Sequence, residues 1–212
     1  MLIHPWDEAG EVQWREVLAH TDFGLLIASG RNRDYPVVVP THFVVQGSQI
    51  LIHLAKPNPV WAAIAENAHV MVALTQDWTY VEAAWNSPDD PTHGVPTSYY
   101  TAIHLHCTAE ILGESDQIAE LLTNQVAHFE PDDTARVPVS VNYESDRRQM
   151  KAIRGLRLQI IEVRAKQKYG GNRSVEHRLA IADHLAERGA VGDEAARRHV
   201  LRRTPNSPTM QQ

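Results

Sequence analysis

The chain has 212 residues, 43% of them hydrophobic, a formal net charge of −6 and a single cysteine. That size and apolar content suit one domain with a sizeable core and a short C-terminal appendage. The acidic balance argues against a general nucleic-acid binder, and a lone Cys107 excludes an intrachain disulfide and a thiolate zinc cluster.

A reducing, cytoplasmic setting is therefore expected. The N-terminus, MLIHPWDEAGE, has no basic segment followed by an apolar run and does not read as a signal peptide. No apolar stretch approaches the roughly 20 residues of a membrane helix, so no membrane is expected as a partner. The 12 histidines are scattered, without HExxH spacing.

In chain order, Glu8–His20 reads as a helix and Phe23–Ser29 as a buried strand. Tyr35–Val45 is β-rich, with Pro36 and Pro40 suited to strand starts, edges or bulges. The Gln46-Gly47-Ser48 turn makes 41–45 and 49–55 a hairpin. Trp61–Asn67 is helical, and 69–75 and 78–85 read as two strands. Residues 86–98, NSPDDPTHGVPTS, form a long loop. In the strand Tyr99–Leu112, His104 and His106 share one face, and Ile103, Leu105 and Cys107 the other. Ser115 caps a helix to Phe129 whose stripe is Ile118, Leu121, Leu122, Val126 and Phe129. Glu144–Ile153 is a short helix, Leu156–Val163 a strand and KQKYGGNR, 166–173, a basic turn. Ser174 caps a helix closed by Gly189, and Asp193 caps another to Arg203. The pattern predicts an α+β fold, mainly β: a barrel or sandwich with flanking helices. Residues 1–190 are expected as the barrel domain, 191–203 as a C-terminal helix and 204–212 as a disordered tail.

The stretch ILIHLAKPNPVW, 50–61, sets an imidazole, His53, and a cation, Lys56, beside a proline-flanked turn. Such a stretch can seat a planar anionic cofactor. Arg31, Arg33, Lys56, Lys168 and Arg173 are candidate anchors for its anionic groups. Gly170-Gly171 could let backbone approach an anion closely, or simply turn the chain. Thr75, Thr79, Tyr80, Glu82, Tyr99 and Tyr100 could line a small polar pocket for an amino-acid substrate. By alternation, Thr79 and Val81 take one face and Tyr80 and Glu82 the other. The cations Arg147, Arg148, Lys151, Arg154 and Arg157 read as a solvated or interfacial face, and no helix-turn-helix suggests direct contact with nucleic acid.

THF (41–43), IHLAKPNPVW (52–61), VPTSYY (95–100) and KYGGNR (168–173) occur in the order found in PaiB-like proteins, which this chain resembles over about residues 1–190. The resemblance implies a flavin-reductase-like split β-barrel, a homodimer with cofactor sites at its interface, and FMN. Two runs depart from that family: Ser98-Tyr99 stands where a Trp-Asn pair is usual, and Thr75–Glu82 replaces a Gly-Pro-His-Ala-Tyr-Ile-Ser-like run. Both fall near the expected cofactor cavity, and they shift the reading towards the haem-dependent piperazate synthases, which the chain also resembles. Those enzymes convert side-chain N-hydroxylated L-ornithine to L-piperazate with loss of water. The resemblance then implies haem b, with His53 as axial ligand and His42 as its rival, and Lys56, Thr75, Tyr80 and Glu82 as catalytic candidates. FMN chemistry and a noncatalytic regulator are the alternatives.

Overall fold

In the computed structural model, residues 1–31, 33–87 and 90–203 are described; the expected tail at 204–212 lies outside them. The helices are α1 (Glu11–Ala19), α2 (Val60–Glu66), α3 (Ser115–Phe129), α4 (Glu144–Met150), α5 (Val175–Arg188) and α6 (Asp193–Arg202). The strands are β1 (Phe23–Ala28), β2 (Val37–His42), β3 (Val44–Gln46), β4 (Gln49–Ala55), β5 (His69–Val81), β6 (Thr97–Leu112) and β7 (Ile153–Lys168). They form one seven-stranded sheet in the order β2-β1-β5-β6-β7-β4-β3. β1 pairs antiparallel with β2 and β5, and β4 with β3 and β7.

The chain divides into two compact units. A terminal unit holds Met1–Trp14, Thr75–Ile103 and the described residues from Ala165 onward; a central unit holds Arg15–Leu74 and His104–Arg164.

In the central unit, β4 is apolar on both faces. Ile50 and Ile52 are fully buried on one face, while Leu51, on the other, packs with Leu112 and Leu121. α3 thereby covers the face of β4 that carries His53. Farther along, Ile118 and Ala119 of α3 pack against Met150 of α4.

The expected hairpin is shorter than the sequence suggested. β3 meets β4 through a two-residue turn with Gly47 at φ 61°. His42 belongs instead to β2, opposite Phe23. Between them the Phe43 amide donates to the Asp22 carbonyl at 2.8 Å, which carries the β1–β2 register one residue further.

In the terminal unit, Val81, Tyr99, Tyr169, Ile181, Ala182, Leu185, Ala196 and Val200 form a buried cluster. Ile181, Ala182 and Leu185 recur at helical spacing, which gives α5 its buried stripe. Ser174 Oγ caps α5 by accepting from the His177 amide, and Gly189, at φ 59°, closes it. Arg178, 8% exposed, donates to the Arg203 carbonyl at 3.1 Å and so satisfies the end of α6.

Four further sequence expectations change. The strands foreseen at 69–75 and 78–85 are the single strand β5, which ends at Val81; Ala84–Asn86 forms a 3-10 turn. Asp77 sits inside β5 at φ 52°, a conformation held by His199 Nε2, 2.8 Å from its carboxylate. β7 extends through Lys168, because residues 7–9 pair with it: the Ala9 amide donates to Ala165 and the Gln167 amide to Asp7. Asp193 is the first residue of α6 and not its cap, which is Gly192; α3 is likewise preceded by Glu114 in the cap position.

Candidate functional site

The central unit brings two imidazoles together. His53 on β4 and His42 at the end of β2 stand with ring centres 5.2 Å apart, edge to face. Phe129, from the last turn of α3, closes against His42 with its centroid 5.3 Å away. Burial lowers the pKa of His42 below its ordinary value, His53 adds to the effect and Asp22 opposes it. His42 is therefore mainly neutral near pH 7.

The second partner of His53 is Gln125, from the buried side of α3. Gln125 Oε1 lies 2.5 Å from His53 Nδ1, and Gln125 Nε2 donates to the Leu51 carbonyl at 3.4 Å. An amide that donates to Leu51 turns its oxygen to the ring, so His53 Nδ1 carries the proton and donates it. The lone pair of the neutral ring is then on Nε2, the arrangement of a metal ligand. Gln125 was not foreseen as a site residue. Its signal was there: with Ile118 and Leu121 it falls at i, i+3 and i+7, a polar residue on an apolar stripe, 4% exposed.

Lys56 follows β4 with its side chain exposed, and its amide donates to Ala152 at 2.8 Å. Asn58 Oδ1 accepts from the Val60 amide and turns the chain into α2. Arg31 is exposed; its amide donates to Glu66 Oε2 at 2.9 Å. Glu66 also takes the guanidinium of Arg33, so of these two arginines only Arg31 keeps its side chain outside that pair.

The other expected site residues lie in the terminal unit. Thr75 and Tyr80 have exposed side chains on β5, while Thr79 and Val81 are buried, as the alternation predicted. Arg188 gathers this region: Nη1 donates to Glu82 at 3.3 Å, Nη2 to the Tyr80 carbonyl at 2.8 Å and to Thr79 at 3.0 Å. Both Nε and Nη2 also reach Asp193, at 2.9 and 2.6 Å. Lys168 Nζ donates to Thr97 Oγ1 at 2.6 Å, and burial lowers its pKa. Arg173, half-buried, lines a polar cavity of about 500 Å³ with Asn86, Ser87, Ser174 and His177. Sequence reasoning missed Arg188 and Asp193 as a pair because Thr79, Tyr80 and Glu82, which they hold, lie far off in the chain.

Residues 2–162 match the family model described as "Putative FMN-binding domain". No curated protein matches the chain. Among solved structures, it is similar to the FAD and haem binding protein of Mycobacterium smegmatis, at 23% identity and a TM-score of 0.59 over 81% of this chain and 78% of that one. The flavocytochrome Anf3 of Azotobacter vinelandii is similar at 19% identity, TM-score 0.55, over 79% and 75%. The conserved hypothetical protein Rv2991 of Mycobacterium tuberculosis gives 11% identity, TM-score 0.55, over 79% and 90%. These likenesses bear out the α+β split-barrel class expected from the sequence. With a family match across most of its length, the chain belongs to this FMN-binding-domain family.

Proposed function

We propose that this protein binds haem b through His53 and cyclises side-chain N-hydroxylated L-ornithine, as the piperazate synthases it resembles do. One observation carries the reading: Gln125 engages Nδ1 of His53 and leaves Nε2 with the lone pair. Metal-bound histidines commonly hold their other nitrogen in such a bond. Among the described residues no group of three or more His, Cys, Asp or Glu could hold a bare metal ion. A single imidazole suits a metal that arrives with its other ligands, as haem iron does. The Mycobacterium smegmatis relative, named for FAD and haem, is consistent with a fold that accepts either group.

Bound at His53, haem would supply a Lewis-acidic iron that makes the hydroxylated nitrogen electrophilic. Lys56 and Arg31, in the same unit as His53, are the cations proposed to hold propionates or the substrate carboxylate. The substrate α-amine attacks once it has lost its proton. The N–O bond breaks, the N–N bond forms, and the hydroxyl leaves as water with the amine proton, so no external oxidant is needed. Haem-loaded protein given N-hydroxylated ornithine should yield a product lighter by one water in mass spectrometry, and His53→Ala should lose it. No product from fully loaded protein would refute the cyclase assignment.

The family match favours a second reading, an FMN-binding oxidoreductase with Lys56 and Arg31 on the phosphate. Flavin bands after incubation with FMN, with no Soret band after incubation with haem, would select it. We place either cofactor in a homodimer. Phe23 and Leu25 of β1 and Val38 of β2 share one sheet face and are 59%, 40% and 47% exposed, an apolar surface suited to a second copy. Light scattering that gave a monomer at micromolar concentration would exclude it.

A further inference from the structure

We infer that Gln125 is a positioning residue: it fixes the tautomer of His53 and so decides which ring nitrogen is offered to a metal. The inference deepens the reading of His53 as the haem ligand and rests on it.

Gln125 is a carboxamide 96% buried on the apolar side of α3, where an unpaired amide would be costly. It has two partners, and both lie on one face of β4. Leu51 and His53 are two residues apart, so their strand positions face the same way. The amide spans them: Nε2 reaches the Leu51 carbonyl and Oε1 reaches His53 Nδ1. Reversing the amide would set its oxygen against the Leu51 carbonyl, two acceptors face to face. The oxygen is thus committed to the ring and the proton to Nδ1. The same two-point grip sets the plane of the imidazole.

The choice of an amide has its own consequence. A carboxylate at this position would pull on the Nδ1 proton and give the ring imidazolate character, a stronger donor to iron. A neutral amide leaves a neutral imidazole, a weaker donor, which favours the reduced metal.

The test begins without cofactor. In ¹⁵N-histidine-labelled apoprotein, the His53 resonances, identified by their loss in His53→Ala, should report the Nδ1–H form. Gln125→Leu should release the ring towards the Nε2–H form, and Gln125→Glu should restore Nδ1–H. In haem-loaded protein, Gln125→Glu should lower the midpoint potential, and Gln125→Leu should weaken haem retention by roughly 10–100-fold. An Nε2–H ring in the unmutated apoprotein, or the same tautomer with and without Gln125, would overturn the inference. Haem uptake with an unchanged spectrum in His53→Ala would instead overturn the ligand reading, whatever the tautomer.

Discussion

Replacing Arg188 by Met keeps the aliphatic stem and removes the guanidinium. In the native chain that group donates to both oxygens of Asp193, to Thr79 and to the Tyr80 carbonyl, and lies 4.6 Å over Trp85. Asp193 is 1% exposed, so without Arg188 its carboxylate stays buried with only Thr79 Oγ1 and the Ala190 amide as donors. Removing one partner of a buried ion pair costs about 3–5 kcal/mol. The two surviving hydrogen bonds put this case at the lower end, about 3 kcal/mol. For a chain of this length that is a fall in Tm of about 6–12 °C, measurable by calorimetry. The pH dependence gives a second signature. Arg188 holds the Asp193 carboxyl below its ordinary value, so the stability it brings is present above that value and is lost as pH falls through the lowered pKa. In Arg188→Met burial dominates, the carboxyl titrates higher, and stability starts to fall at a higher pH. A loss under about 1 kcal/mol, the size of an exposed pair, would refute the reading of Arg188 and Asp193 as a buried ion pair.

His42 also loses stability as pH falls, in a window set by an imidazole instead of a carboxyl. Its folded pKa lies below the ordinary 6.5, so the unfolded chain binds the proton more readily. Stability is full above that value and declines as pH drops from 6.5 towards the lower folded pKa. His42→Phe should remove that part of the decline in melts at about pH 7 and about pH 5.5; an unchanged slope would mean His42 is not responsible. Two glycines make a matched pair. Gly170 sits at φ 69°, and a Cβ there would lie 2.5 Å from the Tyr99 hydroxyl, so Gly170→Ala should cost about 1–3 kcal/mol in urea unfolding. Gly189, at φ 59° with open space around it, should lose only about 1 kcal/mol as Ala. Equal losses would mean that the Tyr99 contact adds nothing.

Where physics is local, the sequence was readable. Ser174 and Gly189 bracket α5 by their own chemistry, and the period of Ile118 and Leu121 located α3. The face shared by His104 and His106 followed from strand alternation, since Ile103, Leu105 and Cys107 are buried opposite. The failures have distant causes. Asp77 reads as a strand breaker, yet β5 continues through it because His199, far along the chain, holds its carboxylate. The length of β7 depends on pairing by residues 7–9, which no local pattern announces. At the site, ILIHLAKPNPVW picked out His53, but the choice of ring nitrogen depended on Gln125, seen only once α3 lay over β4.

The most direct test is a titration of the apoprotein with ferric haem, followed in the Soret region for the unmutated chain and for His53→Ala. A ligand at His53 predicts a saturating, shifted Soret band in the first and its loss or a changed ligand spectrum in the second. Identical spectra from the two proteins, or no haem uptake by either, would contradict the account.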